Sequence, residues 1–128
     1  MNQLVTDLLT AFFNTKHDTI RQGRKLTRME ICEILASQPA PRFYITPYAA
    51  LRKIILPMEK SGDIPAHGRR RRAMHLEFYQ HYIRLRESLS RDKAIAAAIE
   101  QPASSFFLSK HRINYLLYAA YHRRNNKR

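Results

Sequence analysis

One cysteine and three glycines stand among 128 residues, and both scarcities exclude chemistry. A lone Cys32 cannot build an internal disulfide framework, which fits a reducing compartment. It lies in an apolar helical pattern, so a buried structural thiol is expected rather than a nucleophile. Three glycines leave no Gly-rich loop to cradle phosphates. The ten acidic residues are scattered, which disfavours a two-metal nuclease, where clustered carboxylates hold the cations. His75 and His81 do not share a helical face, and no Cys/His spacing suits a metal, so no metal or other cofactor is expected. Tyr44, Tyr48 and Tyr115 lie near arginines, yet a tyrosine recombinase needs a longer chain and a spread of catalytic arginines and histidine. The chain reads as non-enzymatic, with no catalytic residue and no small-molecule substrate.

Long apolar runs are missing too. Nothing approaches the ~18 residues of a membrane span, and Met1-Asn2-Gln3-Leu4 lacks the basic n-region and apolar stretch of a signal peptide. The expectation is an intracellular, cytoplasmic protein without a membrane partner, nucleoid-associated if it binds DNA.

What is abundant is positive charge. Twenty-three Lys/Arg against ten Asp/Glu give a formal +13 and a pI near 10.5. Charge of that size repels itself and attracts polyanions, which points to nucleic acid. Residues 1–64 carry nine Lys/Arg and six Asp/Glu, whereas residues 65–128 carry fourteen and four. The second half is therefore expected to hold more of the phosphate contact. Forty-five per cent hydrophobic residues suffice for a core and argue against global disorder.

The chain also repeats itself. Without a gap, positions 20–46 share eight identities and four conservative matches with positions 83–109, sixty-three residues on. Chance would supply about two identities, so an internal duplication is the better explanation. The matches include Ile20-Arg21 with Ile83-Arg84, Gln38-Pro39-Ala40 with Gln101-Pro102-Ala103, and Phe43 with Phe106. Each half alone, at roughly 60 residues, would be marginally stable, so the two are expected to pack on each other.

Helical signals recur in the same order in both halves. Leu4, Val5, Leu8, Leu9, Phe12 and Phe13 form one apolar stripe on a helix over about 2–21, closed by Gly23. Thr27 and Glu30 read as a capping box for a second helix bearing Ile31, Ile34 and Leu35. Gln38-Pro39-Ala40-Pro41 stops it. Thr46 caps a third helix with Pro47 in its first turn and Ala50, Leu51, Ile54 and Ile55 inward, ended or kinked by Pro57. After the joint at 61–65, a long helix over about 70–88 carries Met74, Phe78, Tyr82, Leu85 and Leu89 on one face. Ser90 caps the next helix, with Asp92 near its positive end and Ile95, Ala98 and Ile99 inward. Ser109 caps the last, which bears Ile113, Leu116, Leu117 and Ala120. The fold class predicted is all-α: two tandem trihelical, helix-turn-helix-like repeats packed together, over 1–62 and 63–128, the second ending in a basic tail.

A long helix, a short helix, a proline-broken connection and a last helix resemble the broad trihelical DNA-binding class, in the manner of tandem Myb-like repeats. The connection from Gln38 to Ile45 is longer than the three or four residues usual in a helix-turn-helix. The resemblance implies that the last helix of each trio reads the major groove while its neighbour braces it. Duplex DNA is then the expected partner.

The DNA-binding candidates in the first half are Thr46, Tyr48, Arg52 and Lys53; in the second they are Ser109, Lys110, His111, Arg112 and Asn114. Arg and Lys donate to guanine O6 and N7, while Asn pairs with adenine N6 and N7. Tyr48 and Tyr115 are expected to pack partly into the core. Arg69, Arg70, Arg71 and Arg72 open a helix whose dipole disfavours cations, so a phosphate backbone is the simplest reason for them. Arg123 and Arg124 in the tail are further phosphate candidates. Arg28 and Arg91, each directly after a cap, read as structural. Two rival partners fit the charge: RNA, whose unpaired bases would stack on exposed aromatics, and an acidic protein met by an assembly module. A homodimer is compatible with either.

Overall fold

Two cap residues and one left-handed glycine explain how the chain begins. In the computed structural model, which describes the backbone of residues 2–125 and side chains to residue 122, α1 spans Gln3–Arg21. The Val5 amide donates to Asn2 Oδ1 at 2.8 Å, satisfying one free donor of the first turn. At the other end Gly23 sits at φ +73°, where a side chain would be strained. There Gly23 N–H donates to Ile20 O at 3.0 Å and Arg24 N–H to Thr19 O at 2.8 Å, closing the last carbonyls in a Schellman pattern.

The Thr27 capping box forms as predicted and opens α2, Arg28–Ala36. The Glu30 amide donates to Thr27 Oγ1 at 3.1 Å, and the Thr27 amide donates to Glu30 Oε1 at 2.9 Å. That backbone donor, helped by the Thr27 hydroxyl and Arg24, holds the Glu30 carboxyl below its ordinary range.

Thr46 Oγ1 likewise accepts from the Ala49 amide at 3.1 Å, with Pro47 in the first turn. The helix so begun, α3, runs over 47–61 in three segments: Pro47–Ala50, a π-helical turn Leu51–Ile55, and Leu56–Ser61. Pro57 does not end it. The Leu56 amide donates to Leu51 O, five residues back. Such a widened turn just before a proline relieves the clash of its ring with the carbonyl four residues earlier. Gly62 at φ +72° ends α3, its amide donating to Met58 O at 3.0 Å.

Three helices follow: α4 (Arg69–Leu85), α5 (Arg91–Ile99) and α6 (Lys110–Asn125). Ser90 sits at the N-cap of α5 without a side-chain capping bond. Ser109 does cap α6, accepting from the Arg112 amide at 3.1 Å. The described residues thus hold six helices and no strand, an all-α fold. A single antiparallel bridge joins Ala40 and Ala103, which exchange backbone hydrogen bonds of 3.0 Å in both directions.

Contacts divide the chain into two compact units. One comprises Met1–Gln38 and Leu108–Arg128, the other Pro39–Phe107. The division falls at 38/39 and 107/108 rather than at the joint near residue 62, so each unit draws on both halves of the sequence. The first unit contains α1, α2 and α6, with α2 packed on both of the others and α1 on α6. Val5, Leu8, Ile31, Cys32, Leu35, Ile113 and Leu117 are buried in it. Burial pushes the Cys32 thiol up, away from thiolate reactivity.

The second unit contains α3, α4 and α5, with α5 packed on both of the others and α4 on the π-turn of α3. Phe43 and Phe78 meet edge to face there, centroids 5.5 Å apart. The Phe43 amide donates to Ile99 O at 2.9 Å. Bulky Phe78 and Tyr82 are buried on α4, and small Ala94 and Ala98 are buried on the α5 helix that packs against it.

Two inward assignments are not met. On α4 His75 is buried while Met74 is only half-buried. On α1 Phe13 is 53% exposed, while Thr15 and Thr19 are buried. The Thr19 hydroxyl donates to Lys16 O at 2.9 Å and Gln38 Nε2 to Thr15 Oγ1 at 3.4 Å, so both threonines enter the core satisfied.

Candidate nucleic-acid interface

In the first unit, α6 has two unlike faces. Ile113, Leu117 and Ala120 are buried, at the spacings of one helical stripe. His111, Tyr115, Tyr118 and His122 recur at steps of four, three and four on a different stripe, and all four are exposed. Tyr115 lies two residues, about 200° of helix, from Ile113. It is 58% exposed, and Tyr118 is 52% exposed. The expected partial core packing of Tyr115 is therefore not what forms, because the core stripe of α6 lies on its opposite side.

Cations sit on this aromatic stripe. The Arg112 guanidinium lies 5.3 Å from the Tyr115 ring centroid, and Arg28 of α2 lies 5.8 Å from that of Tyr118. Tyr118 and His122 are 4.1 Å apart. Arg28 Nη2 also donates to the backbone carbonyl of Asn114 at 3.5 Å, tying α2 to α6. An arginine over an aromatic ring keeps N–H donors available, an arrangement suited to phosphate or base edges. Lys110 Nζ stands 4.0 Å from Glu33 Oε2, a long and exposed pair worth little. Ser109 and Asn114 are half-buried; His111 and Arg112 are exposed. One helix thus brings together Ser109, Lys110, His111, Arg112 and Asn114. The side chains of Arg123 and Arg124 lie outside those described.

The second unit collects the other candidates. Thr46 is occupied as a cap. Tyr48 is 73% exposed, which overturns its expected partial packing: it falls two residues before Ala50, the first buried position of α3. Arg52 and Lys53 are exposed, as are Arg69, Arg70 and Arg71 at the start of α4. Arg72 differs. Its Nη1 donates to Ile64 O and its Nη2 to Asp63 Oδ1, both at 2.7 Å, and that bond holds the Asp63 carboxyl below its usual range. Arg72 clasps the loop before its own helix.

Burial, then the charges of Arg71 and Lys53, hold the His75 imidazole below its ordinary value. Its Nδ1 is buried without a hydrogen bond. Arg91, read as structural, pairs with Glu59 at 2.8 Å between α5 and α3. No group of three or more acids, histidines or cysteines able to hold a metal occurs among the described residues. No described helix is long and apolar enough to cross a membrane.

Two contributors escape a reading of sequence alone. Tyr118 was not among the candidates, yet its phase relative to the buried Ile113 and Leu117 sets it outward. Arg28 reaches α6 from a helix eighty-six residues away in sequence, a contact no local pattern encodes. No protein family, curated protein or solved structure matches the chain.

Proposed function

We propose that this chain binds nucleic acid without catalysing a reaction, with duplex DNA as the partner and α6 as the helix offered to it. The observation that carries the reading is the outward stripe of α6. Arg112 and Arg28 lie on exposed tyrosine rings there, on a helix anchored from behind by Ile113 and Leu117. A helix braced on one side and cationic on the other is what major-groove recognition requires. In the second unit, Arg52, Lys53 and Arg69 to Arg71 supply phosphate contacts, which position without specifying sequence.

The duplicated, helix-turn-helix-like organisation belongs to the same proposal. It is supported by register: α2 and α5 have bounds sixty-three residues apart, and α3 and α6 start sixty-three residues apart. The buried pairs 31/94, 32/95, 35/98 and 43/106 keep that offset. The bridge between Ala40 and Ala103 also joins positions that far apart. A small intracellular regulator, or an accessory factor of a mobile element, is the role this class of binder suggests.

A second reading, RNA or another single strand, is favoured by one specific feature: Tyr115 and Tyr118 are open to stacking with unpaired bases. Fluorescence anisotropy with a mixed-sequence duplex, its single strand and a structured RNA, each at rising salt, separates the two. The duplex reading expects tightest binding to duplex and a loss of sequence preference in the Lys110→Ala, Arg112→Ala double variant. Tighter binding to the single strand, abolished by Tyr115→Ala, replaces it with the second reading. No binding to any of the three at moderate salt overturns both.

A further inference from the structure

We infer that the first unit carries a binding site for a small aromatic carboxylate, in a cavity of about 350 Å³ bounded by α1, α2 and α6. Phe12, Phe13 and Tyr121 contribute rings to its wall and Leu117 an aliphatic floor, while Lys16 and Arg28 are the charged groups on it. No acidic residue lines it. A volume of this size lies within the range of small-ligand sites, which are largely apolar with a few oriented polar groups.

Charge selects the occupant. Two cations on an otherwise apolar wall repel each other and gain nothing from a neutral guest, whereas a carboxylate relieves both. Lys16 is exposed and has no ion pair among the described residues. Arg28 uses one donor on Asn114 O at 3.5 Å and its guanidinium carbon lies 5.8 Å from the Tyr118 centroid, which leaves other N–H groups for an anion. Phe12 and Phe13 both line the cavity and stand edge to face at 5.9 Å and 83°. With Tyr121 they give a ring-rich wall that suits a flat aromatic body. Phe13, the ring that misses the core, has a reason here to lie 53% exposed. The site needs only the first unit's own side chains, and it shares Arg28 with the proposed nucleic-acid surface.

Calorimetric titration of the full chain with 2-naphthoate, beside neutral 2-naphthol, tests this without nucleic acid present. Naphthoate is expected to bind tighter than naphthol. Replacing Lys16 and Arg28 with Gln should weaken naphthoate by about tenfold or more, as loss of charge-assisted bonds does, and leave naphthol unchanged. Lys16→Gln alone, at an exposed position, gives a smaller loss in the same direction without risk to folding. Leu9→Trp, which fills the cavity, abolishes both ligands while circular dichroism stays helical. Equal affinity for naphthoate and naphthol overturns the assignment. So does naphthoate binding that ignores the Gln variants, no binding at all, or binding that vanishes as protein concentration rises because a second copy covers the cavity.

Discussion

Replacing Arg69, Arg70 and Arg71 together by Gln tests the electrostatic part of the account, and the structure sets the size of the effect. On B-DNA each phosphate neutralised contributes about 0.9 to the slope of log K against log salt. Four arginines open α4, but Arg72 is held at 2.7 Å by both Ile64 O and Asp63, so three remain. They are exposed and have no ion pair among the described residues. The triple variant should therefore flatten the slope by up to about 2.7. It should weaken unrelated duplexes equally, because phosphate contacts carry no sequence information. Arg72→Gln should do the reverse, lowering the melting temperature by freeing the loop at Asp63 while leaving the slope intact. Fluorescence anisotropy between about 50 and 200 mM salt measures both. A triple variant with the parental slope, or an Arg72 variant that flattens it, refutes the division of labour.

Three further outcomes follow from the packing. His75 is kept neutral in the fold, while in the unfolded chain it titrates at its ordinary value near 6.5. The stability it confers is complete above that pH and declines as pH falls below it, until the folded imidazole itself takes the proton; urea midpoints of the parent and His75→Leu should diverge in that window, and parallel curves contradict this. Phe78→Ala empties the edge-to-face contact with Phe43 and should cost about 3–5 kcal/mol in chemical denaturation. Thr27→Ala should cost about 1 kcal/mol by removing a working cap, whereas Ser90→Ala, whose hydroxyl makes no capping bond, should change the melting temperature much less.

Local signals carried most of the helix bounds. Thr27 with Glu30, Thr46 with Pro47, and Ser109 announce starts because a hydroxyl meets backbone donors that the helix leaves free. Gly23 and Gly62 announce ends because each holds a left-handed backbone. The exposed cations of α3 and α6 follow two of those caps, Thr46 and Ser109, whereas those of α4 were legible as part of the unbroken run Arg69 to Arg72.

What escaped was non-local. A repeated pattern says that helices recur, but not that α6 packs on α1 and α2 while α3 packs on α4 and α5. Only the long segment after Gln38 hinted at such an exchange, since a short turn would have kept each last helix beside its neighbour. Of the two outcomes expected at Pro57, an end or a kink, the end does not occur, because a π-turn upstream lets the helix absorb the proline. Tyr48 of α3 and Tyr115 of α6 were misread because residue type suggested partial burial where phase decides it. His75 took an inward position that its chemistry argues against, and the neighbouring Met74 obscured it.

Titrating the isotope-labelled chain with a mixed-sequence duplex and following backbone amide shifts tests the central proposal directly. The largest changes should fall on the exposed stripe of α6, at His111, Arg112, Tyr115 and Tyr118, and on Arg28, while the buried Ile113 and Leu117 move least. Changes confined to other helices, or none at all at moderate salt, contradict it.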